Sequence, residues 1–307
     1  MIQRKKEHWF KMLFVWQGSV LPQLLPRLLV LFVLSCGIVY ANGTLYRYKI
    51  PLSPAPFTIF GVAMALFLGF RNNASYDRFW EGRKLWGALL NDTRSLARQS
   101  FTLTNYELKS TEVRHFTQLL IAFTYSLRHQ LRKTDPDLDL QRLLPSPLFE
   151  DLKAGLYKPV LLIREMGLWT KEARKNGQLD AIGQAAMDEN LNKLSDIVGG
   201  CERIASTPIP YTYQVLLHRT VYLYCFLLPF GLVDSLGWLT PFVTVFVGYT
   251  FVAFEAIADE LEEPFGTEPN DLPLNAISRM IEITLLETIG LPTPEPVKAD
   301  PEHYTLD

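Results

Sequence analysis

Residues 50–70 read IPLSPAPFTIFGVAMALFLGF, a run without charge bounded by Lys49 and Arg71. Its length matches the ~20 residues a helix needs to cross bilayer hydrocarbon. No turn signal follows. The chain continues RNNASYDRFWEGRKLWGALLNDTRSLARQSF, with Gly82 and Gly87 as the only weak breaks and no proline. One helix starting near Ala55 is therefore expected to leave the membrane and run on to about Leu103. Ser235–Phe254, SLGWLTPFVTVFVGYTFVAF, is a second uncharged run. Leu24–Ala41 is interrupted only by Arg27, and Thr220–Val233 extends back through Tyr211–Leu217 past His218 and Arg219. These predict four transmembrane helices, at about 24–42, 55–72, 213–233 and 236–254. A basic residue at mid-bilayer costs about 2.5–3.5 kcal/mol, less near an interface. Arg27 and Arg219 both fall near the expected cytoplasmic ends.

Composition agrees. The chain has 307 residues with 30 basic and 32 acidic side chains, a net charge of −2 that argues against a nucleic-acid-coating protein. Charged residues make up 20%, below the ~25% of a soluble domain. The three cysteines, Cys36, Cys201 and Cys225, are far apart and suggest neither a disulfide framework nor a metal site. Basic residues set the orientation. Arg4, Lys5, Lys6 and Lys11 precede the first span, and Arg71, Arg78, Arg83 and Lys84 follow the second. The loop between holds only Arg47 and Lys49. Both termini and the long middle segment are expected in the cytoplasm. One competing reading takes Val33-Leu34-Ser35-Cys36 as a lipoprotein cleavage site, which three further spans oppose.

Outside the spans the periodicity is helical, and the class is all-α. Residues 1–23 form a cytoplasmic N-terminal segment, whose positions 7–18 carry Trp9, Phe10, Leu13, Phe14 and Trp16. They suit a helix lying on the membrane or packed on a cytoplasmic helix. Helices are expected at 110–133, 149–170, 180–206 and 273–290, with PDLDLQRLLPSP as a linker. One domain of membrane and cytoplasmic helices then covers 24–291, its cytoplasmic helices lying in 73–212 and 255–291. The proline-rich tail 292–307 is expected to be flexible.

No phosphate-binding glycine loop, dinucleotide fingerprint, zinc-protease helix or nucleophile elbow is present, so nothing supports an enzyme or a cofactor. Two features invite function. Val62, Leu66 and Phe70 repeat every four residues on one face of the second span, with Gly61 and Gly69 on the adjoining face. That apolar face could line a hydrophobic constriction or simply pack on another helix. The acidic stretch from Glu255 through Asp259, Glu262 and Glu263 to Glu268, Asn270 and Asp271 could offer oxygen ligands to Ca²⁺. The alternative is a solvated juxtamembrane face.

FRNNASYDRFW at 70–80, the proline-containing entry Thr207–Tyr213 and Glu263-Pro264-Phe265-Gly266 resemble the bestrophin family, especially its bacterial members. The resemblance covers about residues 5–290. It implies a homopentameric ion channel with four membrane helices per subunit, a cytoplasmic helical basket and one central pore. In the bacterial inner membrane its partners would be other copies of itself, lipid and permeating monovalent ions. By that resemblance Val62, Leu66 and Phe70 line the pore neck, and Ile182 a second narrowing at the cytoplasmic exit. Animal members are Ca²⁺-activated anion channels with an acidic cluster after Pro-Phe-Gly. Here the cluster reads Thr267, Glu268, Pro269, Asn270, Asp271, so a metal site at Glu268, Asn270 and Asp271 lacks several carboxylates. The two aliphatic neck residues resemble bacterial relatives that look cation-selective. That implies monovalent cations such as Na⁺, with chloride in the same architecture, a non-conducting scaffold or a secondary transporter as alternatives.

Overall fold

Ser53, Pro54 and Pro56 start the helix that organises the chain. The Ser53 hydroxyl accepts the Ala55 N–H at 3.3 Å. From there one helix continues without interruption from Pro54 to Thr102, within a residue of the expected limits. The computed structural model describes residues 1–4, 8–16, 18–45, 48–49, 52–301 and 304–307. Lys5, Lys6, Arg47 and His303 lie outside them, as do Glu7 and Gln17 of the expected surface helix. In chain order the elements are α1 (Trp9–Met12), α2 (Leu21–Tyr40), β1 (Thr44–Leu45), β2 (Tyr48–Lys49), α3 (Pro54–Thr102), α4 (Thr111–Arg132), α5 (Asp137–Leu143), α6 (Ser146–Lys153), α7 (Lys158–Lys175), α8 (Ala181–Ser206), α9 (Tyr211–Leu236), α10 (Thr240–Glu262) and α11 (Leu274–Thr288). The strands form a small antiparallel pair, and the protein is otherwise built from helices.

The chain divides into two compact units. Residues 5–79 and 208–263 form an apolar unit; residues 1–4, 80–207 and 264–307 form a helical one. Three helical stretches among the described residues are long and apolar enough to cross a membrane: Leu21–Tyr40, Pro54–Thr102 and Tyr211–Glu262. The last is α9 and α10, joined by a 3₁₀ turn at Gly237–Leu239. Gly237 has φ +51°, a left-handed conformation that suits glycine, and Pro241 opens α10, where its missing N–H costs no helical bond. Tyr224 meets Phe251 edge-on and His218 bonds Glu255, so α9 and α10 run antiparallel.

α3 packs on α9 through two glycines. A Cβ on Gly61 would lie 2.9 Å from the Tyr224 hydroxyl, and one on Gly231 would lie 2.6 Å from the Phe57 ring. The Tyr224 hydroxyl donates to the Phe57 carbonyl at 3.2 Å. Gly69, expected to serve a similar approach, has no atom within 4 Å of its would-be Cβ. Leu24, Leu28, Met64, Leu68, Val221 and Val252 fill the core between these helices.

In the helical unit, Ser110 caps α4 by accepting the Val113 N–H at 3.3 Å. Phe116, Leu119, Leu120, Phe123 and Leu127 of α4 are wholly buried, as are Trp86, Leu89 and Leu96 of α3. The expected 149–170 helix is two helices, α6 and α7. The first ends at Lys153 with Ala154 as its C-cap, and the second starts afresh at Lys158, where Pro159 sits in the first turn because its missing N–H could not serve a continuous helix. The expected linker contains α5. The expected surface helix is only the single turn α1, with Trp9, Phe10, Leu13 and Phe14 exposed. One turn without apolar partners does not repay helix nucleation. The described residues of the tail from 292 form no helix, and its end is paired. Thr305 bridges Ile2, and Asp307 takes hydrogen bonds from Arg132 and Asn275.

Candidate pore-lining site

The membrane part of α3 has two unlike faces. Met64, Leu68 and Arg71 are buried against the neighbouring helices. Val62, Leu66 and Phe70 point the other way and are 60%, 60% and 65% exposed in the single chain. Each step of four residues rises about 6 Å, so the three side chains form an apolar ladder about 12 Å long. It carries no charge and offers no hydrogen bond. A ring of such faces narrows a water column at a dewetting barrier rather than by coordinating an ion.

What holds this face outward is an ion cluster that the sequence reading missed. The Arg71 guanidinium is fully buried, ion-paired to Asp259 and 3.4 Å from Glu262. Glu262 also accepts the Ile209 N–H at 3.0 Å, and the Arg78 guanidinium donates to its carbonyl at 3.0 Å. Gln214 donates to Asp259 at 3.1 Å. Successive helical residues point about 100° apart. Anchoring Arg71 inward therefore turns Phe70, its neighbour in sequence, away from the packed helices. Asn72 reinforces this register by donating to the Phe254 carbonyl at 3.1 Å. Glu255 is buried as well and bonds His218 at 2.7 Å. Of the α10 carboxylates expected to be solvated or to bind metal, Glu255 and Glu262 are buried in packing and Asp259 is exposed but paired to Arg71; Glu263, just past the helix, is exposed. Their spacing of four and three residues on an otherwise apolar helix was the available signal.

Ile182 belongs to the helical unit. Asp180 caps α8 by accepting the Gly183 N–H at 2.6 Å, and Ile182 stands on that first turn, 80% exposed. The Pro-Phe-Gly loop lies in the same unit. Phe265 is buried against Gly82 of α3, where a Cβ would come within 3.0 Å of its ring. Arg132 donates to the Phe265 carbonyl at 3.2 Å. The expected metal residues follow. Asp271 is buried, and its carboxylate accepts the Glu268 N–H at 2.8 Å, which closes a turn. Among the described residues no three His, Cys, Asp or Glu side chains are grouped to hold a metal ion.

Residues 1–287 match the family model described as bacterial/fungal bestrophin protein. The chain belongs to the bestrophin family. A Ralstonia nicotianae relative named voltage-dependent anion channel-forming protein RSc3414 is 53% identical over 95% of this chain and 96% of its own. The Escherichia coli K12 relative named voltage-dependent anion channel-forming protein YneE is 44% identical over the full length of both. A bacterial bestrophin homologue from Klebsiella pneumoniae has a crystal structure that superposes with a TM-score of 0.84 at 43% identity. It covers 88% of this chain and 99% of that one. This bestrophin is accordingly a multi-pass membrane protein and an ion channel rather than an enzyme. The names of its relatives do not support the expected preference for cations such as Na⁺. They favour the anion reading.

Proposed function

We propose that this bestrophin is a passive channel for monovalent anions, chloride among them. In this reading five copies surround one axis in the bacterial inner membrane. Each crosses the bilayer four times, by α2, the first part of α3, α9 and α10, and both termini lie in the cytoplasm. Val62, Leu66 and Phe70 from each copy form the neck, and Ile182 forms a ring at the cytoplasmic exit. The outward face of α3 carries the proposal: three apolar, uncharged side chains stay exposed while the opposite face is fully packed. The anion preference is supported by the names of relatives 53% and 44% identical to it.

Purified protein in planar bilayers under asymmetric NaCl tests the reading. Currents reversing near the chloride equilibrium potential are expected. Reversal near the sodium potential would overturn the ion sign, and an absence of current would overturn the channel. Leu66→Ala removes three carbons from the middle of the neck, and single-channel conductance is expected to rise with it.

A further inference from the structure

We propose that the groove between α2 and α9 is a binding site for an anionic glycerophospholipid. Its headgroup phosphate would sit on Arg27 and Arg219, with an acyl chain along the groove. This goes beyond the channel reading and requires only that the apolar unit stand in a bilayer.

The groove encloses about 710 Å³, within the ~300–1,000 Å³ range of ligand pockets. Its long walls are apolar: Leu31 and Leu34 of α2, Leu223 and Phe226 of α9, and Val252 of α10 behind them. One end carries the guanidiniums of Arg27 and Arg219, with His218 beside them. Arg27 lies six residues into α2, about 9 Å along the helix from its start. That is the depth of a headgroup or the first acyl carbons. The guanidinium of Arg27 donates to the Tyr222 hydroxyl at 2.9 Å, a neutral partner. Neither Arg27 nor Arg219 has an ion pair among the described residues. Glu255, the carboxylate of this region, is already bonded to His218. Two guanidiniums and one buried carboxylate leave this region with a net positive charge among membrane helices, where uncompensated charge is costly. A phosphate diester supplies the missing negative charge, and guanidinium forks match its oxygens. Its hydrocarbon tail fits the only polarity the walls offer. Basic pockets between membrane helices take anionic headgroups on this principle. A zwitterionic lipid would fill the walls but leave the charge unbalanced.

Full-length protein reconstituted in equimolar phosphatidylglycerol and phosphatidylethanolamine, then released for native mass spectrometry, tests this without reading any current. Wild-type protein is expected to retain phosphatidylglycerol preferentially. Arg27→Gln with Arg219→Gln should cut that retention by about tenfold or more, from two lost charge contacts. Val30→Trp and Leu223→Trp stand at exposed positions, keep both guanidiniums and fill the groove; each should reduce retention as well. Equal retention of both lipids by wild type, or undiminished retention in the arginine variant or in both tryptophan variants, would overturn the proposal. So would disulfide cross-linking of Leu223→Cys between two copies, which would place a second protomer in the groove.

Discussion

Arg71 shows how much one side chain decides here. It follows the uncharged run directly, and the sequence reading used it only as a flank and as a basic count for orientation. In the structure its guanidinium is buried among α3, Asp259 and Glu262. Removing one partner of a buried pair costs about 3–5 kcal/mol, because the other charge stays behind. Asp259 is half exposed, so the low end applies. Arg71→Ala is therefore expected to lower the thermal midpoint clearly, and Arg71→Lys to lower it less; detergent-solubilised melts check both. In the helical unit, Asp139 accepts from Arg128 at 2.8 Å and His129 at 3.1 Å. Burial alone would push its carboxyl up. The His129 hydrogen bond and the charges of Arg128, His129 and Arg142 together outweigh that and hold it below the ordinary value. A depressed carboxyl adds stability that is present above its unfolded pKa, about 3.9, and is lost as pH falls through the lower folded value. Asp139→Asn should thus be less stable than wild type near neutral pH. The two should converge below about pH 4, as melts across that range would show.

At the scale of elements, what could be read in the sequence was whatever repeats. The uncharged runs, the unbroken passage from Ala55 to Leu103 and the outward ladder Val62, Leu66, Phe70 all follow from period and composition; α2, α3 and α9 lie within three residues of their expected limits, whereas α10 starts four residues later and ends eight residues later than the expected span. What could not be read depends on a distant partner. The expected use of Gly69 and of a three-turn surface helix failed because periodicity names a face without naming its neighbour. The role of Gly61 could be read as a small residue, but its partner Tyr224 could not. That crossing yields a prediction. Gly61→Leu drives a side chain into the Tyr224 hydroxyl and breaks its bond to the Phe57 carbonyl. Overpacking of this kind costs about 1–3 kcal/mol. The yield of folded protein and its melting temperature are expected to fall, whereas Gly69→Ala, with open space around it, should leave both unchanged.

For the whole molecule, the exposed ladder of α3 must be covered either by lipid or by a lumen shared among copies, and charge tells these apart. A charged side chain facing lipid at mid-bilayer costs about 2.5–3.5 kcal/mol per copy. A lumen hydrates the same charge and presents it to every permeating ion. With five copies around an axis, Leu66→Lys adds a ring of positive charge and Leu66→Glu a ring of negative charge at one level of the neck. Both variants should then assemble with wild-type mass and yield. Their reversal potentials in asymmetric NaCl should move in opposite directions, Lys toward the chloride potential and Glu toward the sodium potential. If the face looks at lipid instead, both variants lose membrane insertion and neither shifts selectivity. Mass measurement of the detergent-solubilised assembly, taken with these two reversal potentials, separates the outcomes, because a folding defect would affect Lys and Glu alike while an electrostatic ring at the pore cannot.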